Sequence, residues 1–327
     1  MTDNKPKRQH TVASSILKKF TGPNGMFWVF DREKNEYREQ HPNQTTVVKD
    51  FYTFTEESGE KSYALEEGLG KVLESRIPGI INKIDDFVPI TEEEKAYIAT
   101  FAALQKFKTT AYRKDHNRVM QDIYLSFART IFGNESTAES AIKKLNEKKP
   151  ADGKLKIGAK EMGEFVDALD TDNIIVPQEN HLQMMLNLAK EISGVFLTLD
   201  WAFLRAPVDS SFVMSDNPFA LVGPHSDYPF YGVGLLTPGA EKTLPLSPKT
   251  CLMMLNPGEK VINIEINKKL VRGINCRTVD HCDRYIISRD RRLLERLVKI
   301  TRIDMEHRKP QFGVSTPHSR SVNRVSH

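Results

Sequence analysis

The 327-residue chain is 39% hydrophobic and 28% charged, the composition of an ordinary globular protein rather than a fibrous or disordered one. Its 47 basic and 43 acidic residues leave a formal net charge of +4, too little to argue for nucleic-acid binding on charge alone. Cys251, Cys276 and Cys282 are too few and too odd in number for a disulfide framework, which points to a reducing, cytoplasmic setting.

The first residues, Met1 to Arg8, are polar and basic and lack the apolar stretch of a signal peptide. No apolar run approaches the length of a membrane span, so no membrane partner is expected. Ile16 to Phe20 reads as a short helix ended by Gly22-Pro23, and Met26 to Phe30 as a strand. A charged turn, Asp31 to Glu36, then returns the chain through a second strand beginning at Tyr37, which makes a hairpin. The aromatic-rich segment Lys49 to Phe54 is placed to dock on a sheet.

From Tyr63 to about Ile84 apolar residues recur at helical spacing, with Pro78 as a point of division. Glu67 and Glu74 lie two turns apart on one face of that helix, where paired carboxylates suit a metal or a shared proton; solvated glutamates fit the same pattern. Thr91 followed by Glu92, Glu93 and Glu94 is a helix start, and that helix runs through Gln105 and Lys108 to Thr109-Thr110, a β-branched pair that either breaks it or is tolerated. An amphipathic helix follows from Tyr112 to Phe132, with Ile123, Phe127 and Ile131 on its apolar side and Arg113, His116 and Arg129 among its basic residues. That face suits phosphate or plain solvation. Helices are predicted near Ser136 to Lys148, near Lys160 to Leu169 and from Pro177 onward, where His181 reads as a structural residue.

After Gly194 strands dominate: Val195 to Leu204, unless the preceding helix extends into it, then 212–215, 219–222, 242–246, 251–255 and 261–266. Phe212-Val213-Met214 is a buried-strand pattern that runs into Ser215-Asp216-Asn217-Pro218, a turn pattern. Strand, tight polar turn, strand is the simplest reading. The turn either lifts Asp216 to a sheet rim as part of a site, or uses it only to close an Asx-turn. The loop from Gly223 to Gly239 is long and rich in aromatics. A short helix from Asn275 to about Asp283, a strand at 284–288 and a helix at 290–300 close the fold, and the Ser-, Arg- and His-rich residues 307–327 read as a basic, disordered tail.

No phosphate-cradling glycine loop, nucleophile elbow, zincin helix or dinucleotide fingerprint is present. Cys276, His281 and Cys282 lack the spacing of a zinc site and read as buried thiols.

Four patches in order resemble the uncharacterised bacterial family catalogued as domain of unknown function 4238: Gln9-His10-Thr11-Val12 with Leu17 and Phe20, Gln105 to Arg113, Phe212 to Pro218, and Asn275 to Ser288. The resemblance implies a cytoplasmic bacterial or phage-related protein and carries no established reaction. It also implies a proline where this chain has Ala13, and an arginine where it has Lys108, which cannot offer the same bidentate fork.

These observations predict an α+β fold: a helical middle, about 63–193, packed on a mostly antiparallel sheet built from the N-terminal hairpin and the C-terminal half. Residues 1–306 would form one interleaved domain. The expected function is a metal-assisted hydrolase, in particular a nuclease acting on nucleic acid or a nucleotide; the alternative is a non-enzymatic binding or regulatory protein that contacts a protein or nucleic acid. Glu67, Glu74, Asp200 and Asp216 are the candidate ligands for Mg2+ or Mn2+. His10, Lys108 and Asp216 are the candidate catalytic residues, and Gln9, Gln105, Arg113, Asn217 and Asn275 the candidate substrate contacts.

Overall fold

The computed structural model describes residues 8–55, 61–63, 68, 75–150, 153–223 and 233–301. The candidate ligands Glu67 and Glu74 therefore lie outside the described residues, as do the chain before Arg8, residues 224–232 of the long loop, and the tail. The protein is α+β. It divides into two compact units, with breaks between Arg113 and Lys114 and between His181 and Leu182.

The strands are β1 (Arg8–His10), β2 (Phe27–Asp31), β3 (Glu36–Gln40), β4 (Val47–Lys49), β5 (Phe54–Thr55), β6 (Lys61–Ser62), β7 (Leu199–Arg205), β8 (Met214–Ser215), β9 (Ala220–Val222), β10 (Glu241–Pro245), β11 (Thr250–Pro257), β12 (Val261–Glu265) and β13 (Tyr285–Ser288). The helices used below are α1 (Ser14–Leu17), α2 (Ser75–Asp85), α3 (Glu92–Phe107), α4 (Thr110–Phe132), α5 (Glu135–Glu147), α6 (Ala159–Asp167), α7 (Gln178–Leu197), α8 (Lys268–His281) and α9 (Arg291–Thr301).

The predicted hairpin forms, and Asn35 takes the left-handed backbone conformation in its turn, which asparagine tolerates. The expected single sheet is divided in two. The hairpin joins the end of the chain in a four-stranded sheet, order β3-β2-β13-β8, the later strands form a five-stranded sheet, order β12-β7-β11-β10-β9, and β1-β4 and β5-β6 are separate two-stranded ladders. Among the described residues all pairings are antiparallel except β12 with β7. The hairpin read across Asp216 is likewise corrected: β8 pairs with β13 and β9 with β10, so the 215–218 turn carries the chain from one sheet to the other. Pro218 has no N–H to continue a ladder, and beyond it Phe219 stacks on Phe196, ring centroids 5.4 Å apart, in the core.

That core is a continuous apolar cluster of Phe20, Trp201, Phe203, Phe219, Leu244, Leu252 and neighbours, to which α1, α2 and α3 contribute Ile16, Ile81 and Phe101. α3 begins as predicted, Thr91 and Glu94 forming a reciprocal capping box. α7 runs on to Leu197, through residues read as the start of a strand, because Phe196 is buried in the core.

In the second unit the expected apolar side of the long helix is not buried: Phe127 is 63% exposed and Ile131 40%, while Leu125 is covered. Polar side chains hold this unit's turns. Asn146 bonds both backbone groups of Leu155, Gln121 reaches the Ile174 carbonyl, and Arg129 the Leu169 carbonyl. His116 and His181 are buried edge to face, 5.6 Å between ring centroids. No helix among the described residues is long and apolar enough to cross a membrane.

Candidate functional site

The chain interrupts its helices at Lys108 and Thr109. Lys108 closes α3, its N–H on the Leu104 carbonyl at 2.7 Å. Thr109 restarts the helix, its hydroxyl accepting the Tyr112 N–H at 3.1 Å as an N-cap. This two-residue corner faces β1 and the segment Phe51–Tyr52. The Tyr52 hydroxyl lies 3.3 Å from the Lys108 carbonyl and 3.4 Å from the His10 carbonyl, its one proton available to either. The Gln9 side chain accepts the Tyr52 N–H and donates to Thr53, so the aromatic pair is fixed to β1 through a fully buried amide.

Two cations stand over the two rings. The Arg113 guanidinium lies 3.6 Å from the centroid of Phe51 and donates to the Phe51 carbonyl. The Lys108 ammonium lies 5.0 Å from the centroid of Tyr52. Phe51 and Tyr52 are themselves edge to face at 4.8 Å. Cation–ring contacts of this kind contribute on the order of 0.5–2 kcal/mol each, well short of replacing hydration. Burial accordingly pushes the Arg113 pKa down to about 10, with the neighbouring Tyr52 acting the other way; the group remains charged at neutral pH. Among the described residues no carboxylate pairs with Arg113, and its Nε has no hydrogen-bond partner. One turn before Lys108, the buried Gln105 also leaves its Oε1 without a partner.

On the other side of the corner, Thr109 donates to Asn217 Oδ1 at 3.4 Å, and Asn217 Nδ2 donates to the His281 carbonyl at 2.7 Å. Asp216 is buried, and its two oxygens accept the Asp283 and Arg284 backbone N–H groups at 2.9 and 2.8 Å. Burial first, and the Asp283 carboxylate second, raise its pKa to about 7 against those donors. Thr110 donates to Asp283 at 2.9 Å. Gln9, His10, Lys108, Thr109, Asn217 and Asp216 thus form one connected set, with Arg113 on the same aromatic pair.

Two expected members lie elsewhere. Asn275 is spent on the approach to β8, accepting from Val213 and donating to Ser211. Asp200 accepts the Lys260 N–H at 2.9 Å and closes the turn at Gly258, where any side chain would run into its carboxylate. Asp200 and Asp216 each serve a different turn, and among the described residues no three His, Cys, Asp or Glu side chains are grouped to hold a metal. The described donors therefore do not fit a Mg2+ or Mn2+ centre.

One family profile matches residues 8–292. The chain belongs to the DUF4238 family, described as protein of unknown function. No curated protein and no solved structure matches it. The matched span in this DUF4238 member takes in every residue of the corner. Phe51, Tyr52 and Thr109 were not among the residues expected at the site; two adjacent aromatics after a strand, and a threonine between two helices, were the available signals.

Proposed function

We propose that this DUF4238 protein binds a phosphate-bearing ligand, a nucleotide or a nucleic-acid phosphate, at the corner where Arg113 and Lys108 stand over Phe51 and Tyr52. The observation that carries this reading is Arg113, a cation partly withdrawn from water with no acid among the described residues to balance it and a buried Nε–H without a hydrogen-bond partner. Holding such a group is costly to the fold unless an anion completes it. The Lys108 ammonium stands over the adjoining Tyr52 ring, and guanidinium geometry favours phosphate or carboxylate oxygens. Hydrolase and binding protein share this first step.

Calorimetric titration with AMP, adenosine and inorganic phosphate tests it. AMP is expected to bind and adenosine not. Arg113→Gln is expected to weaken AMP by ten- to a hundredfold, about 1.4–3 kcal/mol. The unliganded variant is expected to melt no lower than wild type. The reading falls if wild type binds neither AMP nor phosphate, or if the variant binds AMP unchanged. Phosphate release from AMP with added Mn2+ would mark a hydrolase; binding without turnover would mark a binding protein.

A further inference from the structure

A second cleft, of about 470 Å3, lies between α8 and α9. Two helical stripes build it. On α8, Lys268, Val271, Arg272 and Asn275 recur every three or four residues; Arg289, Leu293, Arg296, Leu297 and Ile300 do the same along α9 and its lead-in. Each stripe alternates aliphatic and basic side chains, so the cleft has an apolar floor and a cationic rim.

The acids at the rim are already engaged. Asp209 pairs with Lys268, and Asp290 caps α9 by accepting the Arg292 N–H at 2.8 Å. Arg272, Arg289 and Arg296 are exposed, and among the described residues none of them is in an ion pair. Ile300, at one end of the floor, is 52% exposed. The volume is that of a small-molecule pocket, whose usual lining is apolar with a few convergent polar groups.

We propose that this cleft is a binding site for a small amphipathic organic anion: an aliphatic body on Val271, Leu293, Leu297 and Ile300, and a phosphate or carboxylate head between Arg272, Arg289 and Arg296. A bare anion would leave the floor wet, and a neutral apolar molecule would leave the three guanidinium groups without a counter-charge; Arg296 Nε donates only to the Arg292 carbonyl, at 3.3 Å. The site is independent of the Lys108–Arg113 corner.

Titration with hexyl phosphate, inorganic phosphate and hexanol tests the two halves separately. In Arg113→Gln, which weakens the other anion site, hexyl phosphate is expected to bind one to one, at least tenfold tighter than inorganic phosphate, and hexanol not measurably. The doubly substituted R272Q/R296Q protein is expected to lose at least tenfold in hexyl phosphate affinity, with its melting temperature checked alongside; if it fails to fold, R289Q alone is expected to lose at least threefold. Affinity is expected to survive Arg113→Gln, which separates this site from the other. Equal binding of inorganic phosphate or of hexanol, unchanged affinity in the folded arginine variants, or loss of binding in Arg113→Gln would overturn the proposal.

Discussion

The two units solve the same problem by different means. Residues 8–113 and 182–301 enclose two sheets around a dense aromatic and aliphatic core, with Trp201, Phe20, Phe196 and Phe219 fully covered. Residues 114–181 bury few apolar side chains, Leu125, Ala138 and Val166 among the described ones, and leave Phe165 56% and Ile175 88% exposed. Their backbone is held instead by caps and side-chain tethers, each contributing about 0.5–1.5 kcal/mol. The lesson is that helix propensity and local hydrogen bonds can define a unit, but burial sets how hard it is to open.

The sharpest way to break this contrast is Trp201→Ala. Trp201 is buried, with its indole N–H on the Phe196 carbonyl at 2.8 Å, so the substitution is expected to cost about 3–5 kcal/mol. Urea unfolding should show this as a lower midpoint of the sheet-containing unit. An effect under about 1 kcal/mol would mean the aromatic core is not what holds that unit.

Next in size is a pH effect. Asp216 holds its proton more tightly in the folded than in the unfolded chain, where an ordinary aspartate titrates near 4. Stability of its unit is therefore expected to be highest below about 4 on this group's account, to fall as pH rises toward about 7, and to level off above. Asp31 opposes it at the acid end. Burial raises its pKa, but hydrogen bonds from Arg284 and Arg38 outweigh that and hold it below the usual range, so its contribution is present above about 4 and lost on acidification. Comparing wild type with Asp216→Asn between pH 5 and 7.5 isolates the first effect. The downward slope should flatten in the variant, and an unchanged slope would place its origin in other groups.

The smallest effect should come from Asn146→Ala, which removes both bonds to Leu155 and is expected to cost about 1–2 kcal/mol. Hydrogen exchange should speed up within 114–181 and stay unchanged in the sheets. Spread of the change into β7 or β11 would show that the two units open together.

Much of the element order was legible in the sequence because it rests on local chemistry. The Thr91–Glu94 box and the 27–40 hairpin each follow from a few neighbouring residues, whereas Thr109-Thr110 read equally as a break or as tolerated within one helix. What was not legible depends on distant partners. The backbone N–H groups that take up Asp216 come from 283–284, so nothing near position 216 announces that its turn joins two sheets. The start of α8 at Lys268 was missed because its first turn is basic and polar, although Asn267 caps it. At the site, Gln9, His10, Lys108 and Asn217 do converge, but Phe51 and Tyr52, which organise them, were read only as packing residues. Asp200 looked like a ligand and is a turn-closing carboxylate; side-chain type alone does not distinguish the two.

The β2–β3 ribbon has its second neighbour in β13, and Asp31 meets Arg284 across a sequence separation of 253 residues. On the ribosome, at roughly 5–20 residues per second, that partner arrives tens of seconds after the ribbon itself. Throughout that interval the inner edge of β2, with Val29 and Phe30, stays open to solvent and to any other nascent strand. Synthesis of this protein therefore carries a built-in window of vulnerability that closes only near the last helix, and slowing translation would lengthen it.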